Sequence, residues 1–185
     1  SRGAHRFDVL QEYASPPRLL RPRWMTVLNL LQLIGRTSER HRYIHMNRLD
    51  HTLSQLKAKG EKALITYIMA GDPSLQETEQ LVLELERAGA DVIELGVPFS
   101  DPIADGPVIQ KAAERGLQSG TSLRRILESV RHLRTSTRIP IVLMAYYNNI
   151  HAFGEAEFCR IAADAGVDGL IVPDMPPDEA GPLRG

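Results

Sequence analysis

The chain has 185 residues, 43% of them hydrophobic and 24% charged, enough apolar material for one globular domain with a sizeable core. A formal net charge of −1 gives no electrostatic basis for binding nucleic acid or an anionic membrane. The single cysteine, Cys159, excludes an intrachain disulfide, no Cys/His cluster offers a metal site, and a reducing, cytoplasmic compartment is expected.

Residues 1–45 differ in composition from the rest of the chain, with eight arginines, no lysine, three acids and breaks at Pro16-Pro17 and Pro22. The apolar run from Trp24 to Ile34 is roughly half of the ~20 residues a membrane helix needs, so no span is expected. An awkward segment ahead of the arginines and a shortage of serine argue against a signal or transit peptide. The expectation is a non-native or disordered extension over 1–45 and a domain over 46–185.

From Met46, Leu49, Leu53 and Leu56 recur at helical spacing, which predicts a one-sided helix stopped by Gly60. Ala63–Ala70 is a nearly continuous apolar, β-branched run of the kind buried on both faces of a parallel sheet. Asp72 is placed to N-cap the next helix and Pro73 to occupy its first position. That helix, Ser74–Ala88, is expected to bury Leu81, Val82, Leu85 and Ala88 while Glu77, Glu79, Glu84 and Glu86 face water.

The stretch Asp91–Gln110, DVIELGVPFSDPIADGPVIQ, organises the rest. A strand, Asp91–Leu95, carries an acid in an otherwise apolar run, and a carboxylate there must be hydrogen-bonded, raised in pKa or open to a cleft. Asp101 and Asp105 lie beyond it in a stiff loop. Pro107 starts another helix, and Thr121 or Ser122 caps an amphipathic one with Leu123, Ile126, Leu127, Val130 and Leu133 on one stripe. A strand over Ile139–Tyr146 leads into a loop at Tyr147-Asn148-Asn149, a helix spans Glu155–Ala165, and a strand spans Asp168–Val172 before the chain turns through PDMPPDEAGPLRG.

Strands alternating with helices predict right-handed βαβ units and a parallel sheet, either doubly wound or a (β/α)8 barrel. No GxGxxG or GxxxxGK[ST] motif supports a nucleotide-binding open sheet. The unusual polar residues lie just beyond the strand ends, where barrel enzymes assemble their sites. Only four βα units can be counted, against the ~250 residues of a complete barrel.

Glu94-Leu95-Gly96-Val97-Pro98-Phe99-Ser100-Asp101-Pro102 with Ala104-Asp105-Gly106-Pro107 resembles the signature of the tryptophan synthase α subunit. AGDP at 70–73, AGAD at 88–91, LMAYYN at 143–148 and AGVDGLIVPDMPPDEA at 165–180 match in register. The resemblance implies a TIM barrel of the (β/α)8 family, of which about the first four βα units are present, and a lyase that cleaves indole-3-glycerol phosphate to indole and glyceraldehyde 3-phosphate in tryptophan biosynthesis. It implies Glu94 as the catalytic acid/base and Asp105 as acceptor of the indole N–H, with Tyr67, Met144, Tyr146 and Ile171 in the indole pocket. Asp101 is read as scaffold, Asp174 as an outer-shell or partner-surface acid, and Asn148 as pinning the third loop. His132, His151 and Cys159 are assigned no chemistry.

The resemblance further implies no metal or organic cofactor in this subunit, with pyridoxal phosphate confined to a β subunit that partners it in an α2β2 tetramer. The family's phosphate grip and mobile loop belong to its second half, so the chain alone is expected to be inactive. Two other readings stay open: a truncated, non-catalytic chain that at most docks to a partner, and a stand-alone indole-releasing lyase. A different phosphate-binding barrel loses support because no lysine lies in the four strands.

Overall fold

The computed structural model describes residues 26–28, 47–176 and 178–184. Its elements run β1 (Thr26–Leu28), α1 (Arg48–Lys59), β2 (Ile65–Met69), α2 (Leu75–Ala88), β3 (Val92–Gly96), α3 (Pro107–Gln118), α4 (Leu123–Leu133), β4 (Ile141–Met144), α5 (Tyr147–Phe153), α6 (Glu155–Ala165), β5 (Gly169–Val172) and α7 (Gly181–Arg184). They build one sheet in the order β1-β5-β4-β3-β2. Strands β2 to β5 are parallel and lie side by side in chain order. A doubly wound sheet reverses its order at a switch point. These strands never reverse, and the winding is that of a barrel wall.

Composition predicts no element within residues 1–45, yet Thr26–Leu28 runs antiparallel along β5, with Val27 opposite Ile171. The remainder of that segment, including Trp24 and the proline breaks, lies outside the described residues.

Alternate strand residues point to opposite faces. One parity, with Ile93, Leu95, Ile141, Leu143, Leu170 and Val172, joins Val82 of α2, Ile126 and Val130 of α4 and Phe158 of α6 in the main core. The whole apolar stripe of α4 is buried, as its 3.6-residue periodicity predicts. The other parity gathers Val92, Val142, Met144 and Ile171 into a smaller cluster, against which Tyr67 and Leu49 of α1 pack.

Several local expectations are corrected. Strand β2 is an edge among the described strands, so Ile65 is 53% exposed rather than buried on both faces. Helix α1 buries none of its residues fully, and Leu53 faces outward. Ser74, not Asp72, caps α2, because its Oγ accepts from the Glu77 N–H while Glu77 accepts from the Ser74 hydroxyl. Asp72 is instead held in a two-pronged pair by Arg115 of α3, at 2.7 and 2.6 Å. In α2, Leu81 and Ala88 are exposed while Thr78 is buried. Glu79 binds Ser129 and His132, and Glu86 accepts from Thr137, so these two acids tie α2 to α4 and its exit rather than facing water alone. The segment after β4 is helix α5, which contains His151, and its first N–H is satisfied by Asp174 Oδ1 at 2.9 Å. Cys159 is buried, as expected of a small core residue. Among the described residues no helix is long and apolar enough to cross a membrane.

Candidate active site

Glu94 shares its strand parity with Val92 and Gly96 and therefore lies on the face opposite α2, α4 and α6. The ladder sets its neighbours: Tyr67, Glu94 and Val142 form one row, and Met69, Gly96, Met144 and Ile171 form the next toward the C-terminal ends of the strands. The carboxylate thus has an apolar floor. Burial pushes the Glu94 carboxyl above its ordinary pKa, with no ion pair to counter it among the described residues.

Tyr67 leans over the site. A Cβ built on Gly96 would lie 2.2 Å from its hydroxyl oxygen and 2.7 Å from Cζ, so only glycine leaves room for the ring. The hydroxyl is buried without a hydrogen-bond partner among the described residues. Its pKa is raised by burial first, then by the Asp105 and Glu94 carboxylates, and so the phenol lies within the field of both acids.

Asp105 is delivered by the loop between β3 and α3 and fixed from β4's exit. The Tyr146 hydroxyl accepts from the Ala104 N–H at 3.0 Å and interacts with the neighbouring Asp105 carboxylate. Burial raises the Asp105 pKa and the Tyr146 bond opposes it. Burial and the carboxylate push the Tyr146 phenol up to about 12, which keeps it a neutral donor. Phe99 stacks on the Tyr146 ring with centroids 5.3 Å apart.

The fold therefore brings Glu94, Asp105, Tyr67 and Tyr146 to one end of the sheet, with Met144 and Ile171 among the apolar residues beside them. Among the described residues Asp101 accepts only from the adjacent Ser100 hydroxyl, at 2.6 Å, and it is exposed. Asn148 is exposed, and it is Asn149 that reaches the loop by donating to the Pro98 carbonyl at 3.3 Å. Asn148 points away because α5, which no sequence pattern marks, turns the run into a helix. A cavity of about 470 Å³ beside the loop is lined by Ile103, Ala104, Pro173, Asp174 and Pro176. Gly96 and Phe99 join the site without having been singled out from sequence. The i, i+2 spacing of Gly96 from Glu94 is the available signal for the first, and nothing local marks the second.

Parallel strands in chain order, with α2, α4 and α6 packed on one face and acids beyond the strand ends, define the class: this is the wall of a (β/α)8 barrel with its polar residues at the end where such barrels bind ligands. The model of the tryptophan synthase alpha chain family matches residues 53–185. The chain belongs to that family. It is 59% identical over 140 residues to the tryptophan synthase alpha chain of Citrifermentans bemidjiense, covering 76% of this chain and 52% of that protein. The crystal structure of the alpha subunit from Legionella pneumophila str. Paris is similar with a TM-score of 0.73 and 47% identity, over 75% of this chain and 53% of that one. A structure of the tryptophan synthase a2b2 complex from Pyrococcus furiosus contains a chain 45% identical, with a TM-score of 0.63 over 65% of this chain and 49% of that one. The chain spans about half the length of the curated relatives it matches.

Proposed function

We propose that the protein to which these βα units belong cleaves indole-3-glycerol phosphate to indole and glyceraldehyde 3-phosphate, with Glu94 as acid/base and Asp105 as partner of the indole N–H. The observation that carries this reading is that Glu94 on β3 and Asp105 on the loop that follows it both act on Tyr67 at this end of the sheet, each with a raised pKa and neither neutralised by a cation among the described residues. A retro-aldol cleavage needs a proton delivered to indole C3, which makes the ring an electron sink, and a proton removed from the C3′ hydroxyl of the glycerol chain. A carboxyl whose pKa is lifted toward neutrality can give one and take the other. As the C–C bond breaks, its electrons pass into the ring and the glycerol hydroxyl becomes the aldehyde.

Positive charge develops at the ring nitrogen, where Asp105 provides an electrostatic and hydrogen-bonding partner, strongest in a dry site. Tyr146 holds the loop that carries that acid by accepting from the Ala104 N–H, and Tyr67, Met144 and Ile171 flank the indole. The scheme needs two carboxylates and no metal or organic group from this chain. Pyridoxal phosphate belongs by resemblance to a β subunit, and the Pyrococcus furiosus complex supports such a partner here. The reaction would run in the cytoplasm.

Glu94→Gln in a protein carrying the complete barrel should abolish indole release from indole-3-glycerol phosphate while leaving the fold unchanged by circular dichroism. Retained turnover would remove Glu94 from the mechanism. The 185-residue chain by itself is expected to give no lyase turnover above buffer, since the described units offer no grip for the substrate phosphate beside Glu94.

A further inference from the structure

At the end of the sheet opposite Glu94, a cavity of about 490 Å³ is lined by Asn47, Arg48, Arg131, Arg134 and Arg138 and by the run 163–168, which includes Asp164 and Asp168. Its charges do not balance. Asp168, 2% exposed, accepts from the Ile141 N–H at 2.9 Å and pairs with both Arg48 and Arg134, each at 2.9 Å. Arg48 and Arg134 also donate to the Gly166 carbonyl, and Arg134 to that of Ile139. Asp164 is drawn toward Arg160, which does not line the cavity. One carboxylate thus serves two guanidiniums, and Arg131 and Arg138 have no ion-pair partner among the described residues. The start of α1 and the ends of α4 and α6 add partial charges of about +0.5 and −0.5 each, which together remove only about half a unit. A surplus of more than one positive charge remains around a space large enough for a small ion. Arg134 has a pKa lowered to about 10, by burial first and then by the neighbouring Arg48 and Arg138, against the pull of Asp168 and, more weakly, of Glu86 outside the cavity.

We propose that this cavity binds a small tetrahedral oxyanion, inorganic phosphate or the phosphate of an ester, gripped by Arg131 and Arg138 and backed by Arg48 and Arg134. A guanidinium presents parallel N–H donors in a plane that matches two oxygens of such an ion, and two guanidiniums on different segments, without an ion-pair partner among the described residues, suit its geometry. The ion would join the start of α1, the end of α4, the approach to β4 and the end of α6 at the face of the barrel that governs stability rather than chemistry. This site is independent of the catalytic reading, because no residue of the cavity belongs to the cluster around Glu94.

Isothermal titration of the 185-residue chain with sodium phosphate, at an ionic strength held constant with chloride, tests this. The native chain should show saturable binding, and Arg131→Gln/Arg138→Gln should weaken it at least fivefold. Both positions are exposed, so the double variant should keep the native circular dichroism spectrum. Should it not, each single variant is expected to weaken binding at least twofold. Sulfate should compete with phosphate and acetate should not. Absence of saturable binding by the native chain, unchanged affinity in the variants, or equal competition by acetate overturns the proposal.

Discussion

Replacing Gly96 by alanine should destabilise the protein only because Tyr67 stands in the way. Gly96 has no positive φ, so a side chain is permitted by the backbone. In an extended strand, Gly→Ala is worth about 0.5–1 kcal/mol in favour of the fold through reduced entropy of the unfolded chain. Against this, the new Cβ would meet the Tyr67 hydroxyl oxygen at 2.2 Å, Cζ at 2.7 Å and Cε2 at 3.1 Å, and the ring end must retreat by about 1.2 Å to reach ordinary contact. Overpacking of this kind costs about 1–3 kcal/mol, so Gly96→Ala should be net destabilising. Leucine at 67 ends short of all three atoms. In a Tyr67→Leu background the same Gly96→Ala change should therefore become stabilising by about 0.5–1 kcal/mol. Urea unfolding of the four proteins closes a double-mutant cycle whose coupling should be about 1–3 kcal/mol. A Gly96→Ala effect of the same sign and size in both backgrounds would refute the packing argument.

Three further outcomes are expected. Glu94 has a folded-state pKa above its ordinary value of 4.5, so the fold resists its ionisation and stability falls as pH rises from the carboxylate range through the raised pKa. Glu94→Gln removes that loss, and its stability minus that of the native protein should rise between pH 4 and pH 7 in paired urea titrations; a difference that is flat or falls over this range contradicts the burial of the charge. Phe158→Ala empties a site that is 0% exposed and packed edge-on against Phe153, and should cost about 3–5 kcal/mol by chemical denaturation. Ser74→Ala should cost about 1 kcal/mol through the lost cap, whereas Asp72→Ala should cost less than that and cost nothing once Arg115 is also alanine. An Asp72 effect that persists without Arg115 would return the cap to Asp72.

Periodicity locates the elements well where one face dominates. The stripe Leu123, Ile126, Leu127, Val130 and Leu133 is buried as drawn, and α6 has the expected bounds of Glu155–Ala165. It locates them poorly where partners are remote in sequence. Asp72 and Ser74 are both good capping residues, and Arg115, forty-three positions away, decides between them by holding the Asp72 carboxylate. Helix α5 is illegible locally because its seven residues carry little apolar pattern, and its first N–H depends on Asp174 from beyond β5. Asn148 and Asn149 are alike in a loop reading, and the turn of that helix sends only Asn149 to Pro98.

What the sequence determined by itself is the alternation of strands and helices and the placing of Glu94 and Asp105 at a strand end, because strand and helix periods and the glycine- and proline-rich corner are local properties. The strand and helix pattern left a barrel wall and a doubly wound sheet both open; the resemblance implied the barrel, and the tertiary structure shows it in which strands sit side by side. It alone set Tyr67 beside Glu94 and over Gly96, because parallel register joins residues 27 and 48 positions apart, and it tied Tyr146 to Ala104 of the loop that carries Asp105. The arginine surplus around Asp168 is of the same kind, assembled from residues that share a face only once α1, α4 and α6 have packed.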